Sequence, residues 1–143
     1  MKRVVVTLLI LIFSTSLYSP ASGEQANEPK TEQKAKSEDN LIINDEQLDF
    51  SKYKVTFIEL GADRCIPCKA MQPVMREIAQ KYKGTIQVVF YDVWKTPKYA
   101  KDYGIKMIPT QVFIDKKGDE IFRHVGFYAK DKIIKMLKEK GIL

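Results

Sequence analysis

The sequence predicts an α/β domain, with a central mixed β-sheet of about four strands and helices on both faces. Three observations lead there. An apolar run over residues 55–60 is followed by a helical pattern and then by a second β-rich run over residues 86–93, and two strands joined by a helix make a βαβ unit. A polar stretch with Gly, residues 115–119, separates two further strand-like runs, which is the signature of an antiparallel hairpin. Finally, residues 129–139 carry apolar side chains at helical spacing.

The chain begins with Lys2 and Arg3, an apolar run over residues 4–13, and small and polar residues ending in Ala21-Ser22-Gly23. That is the three-part pattern of an export signal, so residues 1–23 are expected to be a signal peptide. The apolar run is short against the roughly 20 residues of a spanning helix, which leaves an uncleaved membrane anchor as the alternative. The expected location is exported, periplasmic or otherwise extracytoplasmic, where disulfides persist. Residues 24–40 are almost devoid of apolar side chains and cannot bury enough surface to offset ordering entropy, so a flexible linker is expected there. Residues 41–143 then suffice for one domain.

The formal charge of +6 falls by two when Lys2 and Arg3 leave with the signal. The remaining lysines are interleaved with acids and form no basic aromatic stripe, which argues against nucleic-acid binding.

Within the domain, residues 41–43 and 48–53 supply the first apolar side chains and predict a short strand or turn against the domain edge. The run 55–60 predicts a buried strand that breaks at Gly61. Beyond Cys65, residues Met71, Val74, Met75, Ile78, Ala79 and Tyr82 recur at three- and four-residue spacing, which predicts an amphipathic helix closed by Lys83-Gly84. Pro67 suits its first turn, while Pro73 falls inside and predicts a kink. A short helix is expected over residues 96–103, with Thr96 as N-cap, Pro97 at its first position and Gly104 at its end. Strands over 111–114 and 120–125 complete the sheet.

The chemistry lies at Cys65-Ile66-Pro67-Cys68-Lys69, which holds the only two cysteines. Two thiols separated by two residues can close and reopen a small disulfide. A thiolate is the attacking species, and both a helix N-terminus and nearby cations (Arg64 and Lys69 here) lower a thiol's pKa. Cys65 is therefore the expected nucleophile and Cys68, one turn inside the helix, the resolving thiol. A static disulfide is the weaker reading, because so short a loop removes little denatured-state entropy. Structural zinc wants four ligands, whereas the chain offers two cysteines and His124 on a distant strand; two thiolates could still carry Cu(I). His124 itself reads as a strand-surface residue.

Two further features narrow the reading. Glu59 is an acid inside an apolar run six residues before Cys65, and Ile108-Pro109-Thr110 precedes the fourth strand. With Pro67, Lys69, Pro73, Tyr103-Gly104-Ile105 and Gly126 in matching order, the chain over residues 55–143 resembles the thioredoxin family. The resemblance implies a thioredoxin-like fold and an exported thiol-disulfide oxidoreductase. It implies that Pro109 is a cis-proline beside the disulfide, with Ile108 and Thr110 offering backbone to an extended substrate. It also implies that Glu59 stands for the buried acid that takes the proton of the resolving thiol, its pKa raised by desolvation. No cofactor is expected beyond the redox-active Cys65–Cys68 pair.

The departures from the family pattern are Arg64 and Ile66, which replace Trp and Gly beside the first cysteine, and Phe90 in place of a lysine near the buried acid. Arg64, Ile66 and Pro67 are expected to influence partner choice. The family's first strand and helix are not evident before Val55, so a shortened domain is expected. Trp94 is read as a packing or loop residue. The buried acid and Pro67, where strongly oxidising relatives usually carry His, favour reduction of disulfides. A disulfide oxidase or isomerase and a Cu(I) chaperone are the alternatives. Expected partners are oxidised exported proteins, with apocytochrome c a candidate client, and a membrane thiol-electron transporter as donor to a monomer.

Overall fold

A computed structural model describes residues 41–44 and 47–143. The expected signal (1–23) and linker (24–40) lie outside the described residues. The described chain runs β1 (Leu41–Ile43), a single 3-10 turn (Phe50–Lys52), β2 (Val55–Gly61), α1 (Ile66–Lys81), β3 (Ile86–Asp92), α2 (Pro97–Asp102), β4 (Thr110–Asp115), β5 (Glu120–Val125) and α3 (Lys130–Glu139). Among the described residues no helix is long and apolar enough to cross a membrane.

Among the described residues the sheet has five strands in the order β1-β3-β2-β4-β5, one more than expected. The added strand is β1, which lies parallel to β3 at one edge, with Leu41 opposite Val88. It also corrects the expectation of a missing first strand. Between β1 and β2 the described residues hold only the 3-10 turn where the family has a helix. β2 and β3 are parallel, as α1 requires, whereas β4 and β5 run antiparallel to their neighbours. The sheet is therefore mixed.

Alternation along β2 assigns its two faces. Val55 and Phe57 join Val88, Phe90 and Phe113 under α1 and α3, which contribute Met71, Met75, Ile78, Ile133, Met136 and Leu137. Ile58 and Leu60 face the other way, against Val89, Tyr91, Val112 and Tyr99 of α2, with Leu48 and Phe50 packed on the same layer. Aromatic pairs fasten both layers: Phe57 stacks on its cross-strand partner Phe113 at 4.8 Å, and Tyr91 on Tyr99 at 3.9 Å.

Local chemistry explains most boundaries. Pro67 occupies the first turn of α1, where its missing N–H has no helical acceptor, and the helix continues through Pro73 to Lys81. Gly104, at φ +60, ends the turn after α2. Thr96 precedes α2 but makes no side-chain capping bond. Gly61 departs from its expected role as a strand breaker, since it pairs with Asp92 as the last residue of β2. The Val93 amide donates to the Gly61 carbonyl at 2.9 Å and carries the pairing to the strand's end.

Candidate active site

Parallel β2 and β3 end on the same side of the sheet, and β4 starts there because it runs the other way. Four segments consequently gather at that edge: the loop into α1, the turn after β3, the chain before β4 and the turn after β5. Leu60 near the end of β2 pairs with Thr110 at the start of β4, and Thr110 pairs with Val125 at the end of β5.

Cys65 is the N-cap of α1 and is bonded to Cys68, with Cα atoms 5.2 Å apart. The two cysteines differ in access. Cys65 is partly exposed, whereas Cys68 is 1% exposed. The Cys68 backbone N–H donates to Cys65 Sγ at 3.4 Å, so an unpaired amide of the helix start is directed at this sulfur. The same amide is placed to stabilise a thiolate there after reduction.

Cys68 rests on Gly61. A Cβ at Gly61 would stand 3.1 Å from Cys68 Cβ, 3.2 Å from Cys68 Sγ and 3.1 Å from a Phe90 ring carbon. The absent side chain is what lets the helix bring its inner sulfur down to the sheet. Two residues earlier on the same face stands Glu59, about 7 Å along the strand from Gly61. Glu59 is fully buried, with Phe90 opposite it on β3 and Gln111 opposite it on β4. Burial pushes its carboxyl up to about 8, partly offset by a hydrogen bond from Gln111 Nε2 to Glu59 Oε2 at 2.9 Å.

The Ile108–Pro109 bond is cis, and Pro109 is buried immediately before β4. Its carbonyl accepts from the Gly126 amide at 2.8 Å, and Thr110 Oγ1 donates to the Met107 carbonyl at 2.7 Å. These bonds anchor the loop at the edge that holds the cysteines. Ile108 is partly buried and Thr110 buried. By contrast Arg64, Ile66 and Pro67 are exposed around Cys65, with Ile66 at 81%. Exposed Met107 and Phe127 add apolar surface on the neighbouring segments of that edge.

Three contributors were not singled out by the sequence reading. Gly61 looked like a turn signal, and Gln111 like an ordinary strand residue. The third is Asp92. Its carboxylate accepts from the backbone amides of Trp94 and Lys95, each at 3.0 Å, and from that of Asp63 at 3.3 Å. Burial alone would raise this acid, but those amides and the nearby Lys95 outweigh it and hold it below the usual carboxylate range. Asp92 thus ties the turn after β3 to the loop just before Cys65, and a Lys95–Asp63 ion pair reinforces the tie. Trp94 lies in that turn, more than half exposed, which makes it a loop residue and not a packing one. His124 stacks on Tyr128 at 4.2 Å on the outer strand. Among the described residues no group of three or more His, Cys, Asp or Glu side chains could hold a metal ion.

Residues 35–139 match the protein-family profile described as Thioredoxin. Thioredoxin 1 of a Nostoc species is 37% identical over 82 residues, which span 57% of this chain and 76% of that protein. The thioredoxin of Staphylococcus aureus is 32% identical over 83 residues, covering 58% and 79%. Of solved structures, a mutant thioredoxin from Halobacterium salinarum superposes with a TM-score of 0.62 at 26% identity, covering 71% of this chain and 90% of the other. The Malassezia sympodialis thioredoxin reaches a TM-score of 0.54 at 27% identity, covering 64% and 78%.

Proposed function

This chain belongs to the thioredoxin family and carries the Cys65–Cys68 pair of a thioredoxin-type thiol-disulfide oxidoreductase; from that premise we propose that it reduces disulfides of exported proteins. The observation that carries the reading is the asymmetry of the pair, with a partly exposed cysteine at a helix N-terminus and a buried partner one turn inside.

In the dithiol form, the Cys65 thiolate attacks one sulfur of a client disulfide. The client S–S bond breaks, its second sulfur leaves as a thiolate, and a Cys65–client disulfide forms. The Cys68 thiol then passes its proton, through an intervening water, to the Glu59 carboxylate and attacks Cys65 Sγ. The remaining client sulfur leaves as a thiolate, and the Cys65–Cys68 disulfide is produced. Two electrons have moved to the client. The cycle needs an external dithiol to restore the protein, a role we assign to a membrane thiol-electron transporter, with oxidised exported proteins such as apocytochrome c as clients. The cis Pro109 loop, with Ile108 and Thr110, supplies backbone beside the disulfide for an extended client segment. Arg64, Ile66 and Pro67 form the rim that such a segment meets first.

The test is reduction of insulin disulfides by the domain with dithiothreitol as donor, together with the reduction potential of the pair. Turnover with a potential near thioredoxin's ~−270 mV supports a reductase, whereas values of about −120 to −180 mV indicate an oxidase or isomerase. Stoichiometric Cu(I) binding without turnover would instead mark a metal chaperone.

A further inference from the structure

We propose that Gln111 is a positioning residue for the proton that Glu59 exchanges with Cys68: its amide gives the buried carboxyl a hydrogen-bond partner in both the ionised and the protonated state. The proposal rests on the reading of Glu59 as the base for Cys68. The two residues face each other across β2 and β4, and neither has any exposed surface. Gln111 Nε2 donates to Glu59 Oε2 at 2.9 Å. Among the described residues, the buried side-chain oxygens without a hydrogen-bond partner are Glu59 Oε1 and Gln111 Oε1, one from each member of this pair.

One proton accounts for both orphans. A carboxylate can only accept, and an amide oxygen can only accept, so the two second arms have nothing to exchange while Glu59 is ionised. Protonated on Oε1, the carboxyl becomes a donor to Gln111 Oε1 and the two planar groups close a ring of two hydrogen bonds. When the proton leaves, the Nε2–H bond remains and strengthens, because its acceptor now carries the charge. The amide therefore holds the acid in one orientation through the proton cycle.

Few other groups can take this role. On β3, Phe90 stands opposite Glu59, and Asp92 follows two residues further along on the same face. The Asp92 carboxylate is already engaged by the amides of Asp63, Trp94 and Lys95. From α1 come Cys68, seated on Gly61, and the apolar Met71 and Met75. The bond from Gln111 lowers the proton affinity that burial raises, so without it Glu59 stays protonated to higher pH.

The test substitutes Gln111→Met, which removes the amide at nearly constant volume. The Glu59 carboxyl is titrated by carbon NMR in the oxidised protein, its signal assigned by its loss in Glu59→Gln. A second readout is the pH profile of thiol release from a preformed Cys65 mixed disulfide. Without the amide the buried carboxylate has no partner, which costs more than the two neutral bonds lost from the acid, so the midpoint should rise by up to about one pH unit and release at neutral pH should slow by up to about tenfold. In the Glu59→Gln background, Gln111→Met should change the profile no further. An unmoved midpoint in Gln111→Met, with the Glu59→Gln profile altered as expected, overturns the role of Gln111 alone. An unaltered profile in Glu59→Gln overturns the reading of Glu59 and this proposal with it. Infrared spectroscopy of the wild-type protein covers a variant that fails to fold. Below neutral pH the Glu59 carboxyl stretch should lie at the lowered frequency of a hydrogen-bonded acid, and a free-acid frequency overturns the pair.

Discussion

Replacing Glu59 by Gln should make the protein more stable, with a lead that opens above about pH 4.5 and is nearly complete by about pH 8. The carboxyl is fully buried and its proton affinity is raised from the usual 4.5 to about 8. In the unfolded chain the same group ionises at its usual value, so between those limits the folded state binds more protons than the unfolded one. Stability contributed by the neutral acid is therefore present at low pH and is lost as pH rises toward about 8. Above both values the penalty for holding the charge inside amounts to about 5 kcal/mol, at ~1.4 kcal/mol per pH unit. A glutamine has nearly the same shape, never ionises, and can both donate to and accept from Gln111. Urea unfolding of the two oxidised proteins should give stabilities within about 1 kcal/mol near pH 4.5 and a lead of about 3 to 5 kcal/mol for Glu59→Gln near pH 9. An equal difference at both pH values would refute the buried, desolvated carboxyl on which the proton-transfer step depends.

Two further substitutions probe the parts around the disulfide. Gly61→Ala would drive a methyl to 3.1–3.2 Å from Cys68 and Phe90, so an overpacking cost of about 1 to 3 kcal/mol and a lower melting temperature are expected in the oxidised protein. A melting temperature unchanged or raised would show that Cys68 does not depend on the missing side chain. Asp92→Ala removes the acceptor of three backbone amides that join the turn after β3 to the loop before Cys65. We expect a loss of about 1 to 3 kcal/mol, with faster amide exchange at Asp63, Trp94 and Lys95; unchanged exchange at those three would argue against the clamp.

The parts of the molecule visible in the sequence are those whose signals are local. The β2-α1-β3 unit follows from period and length, because an apolar run, a three-and-four spacing and a β-branched run follow one another within 40 residues. The hairpin between β4 and β5 follows from its polar turn with Gly118. β1 was harder, since three residues carry almost no periodicity and become a strand only when β3 offers its edge. The site divides in the same way. Cys65, Cys68 and Pro67 sit in one short motif, and Glu59 stands out as an acid in an apolar run. Gln111 gains meaning only from strand register, which brings together residues 52 apart in sequence. The cue that could have found it was a second polar residue inside a buried strand that follows Ile-Pro-Thr. Gly61 misled for a physical reason. A glycine at a strand end reads as a turn, yet here it serves close approach, and only the packed helix reveals what approaches.

The most direct test of the central claim is the fate of a Cys68→Ala variant mixed, in reduced form, with a disulfide-bonded peptide. A stable covalent adduct at Cys65 is expected, seen as the mass of the protein plus one half of the peptide and mapped to that residue by digestion. No adduct, or one that forms instead at Cys68 in a Cys65→Ala variant, would contradict an exchange in which Cys65 attacks and Cys68 resolves.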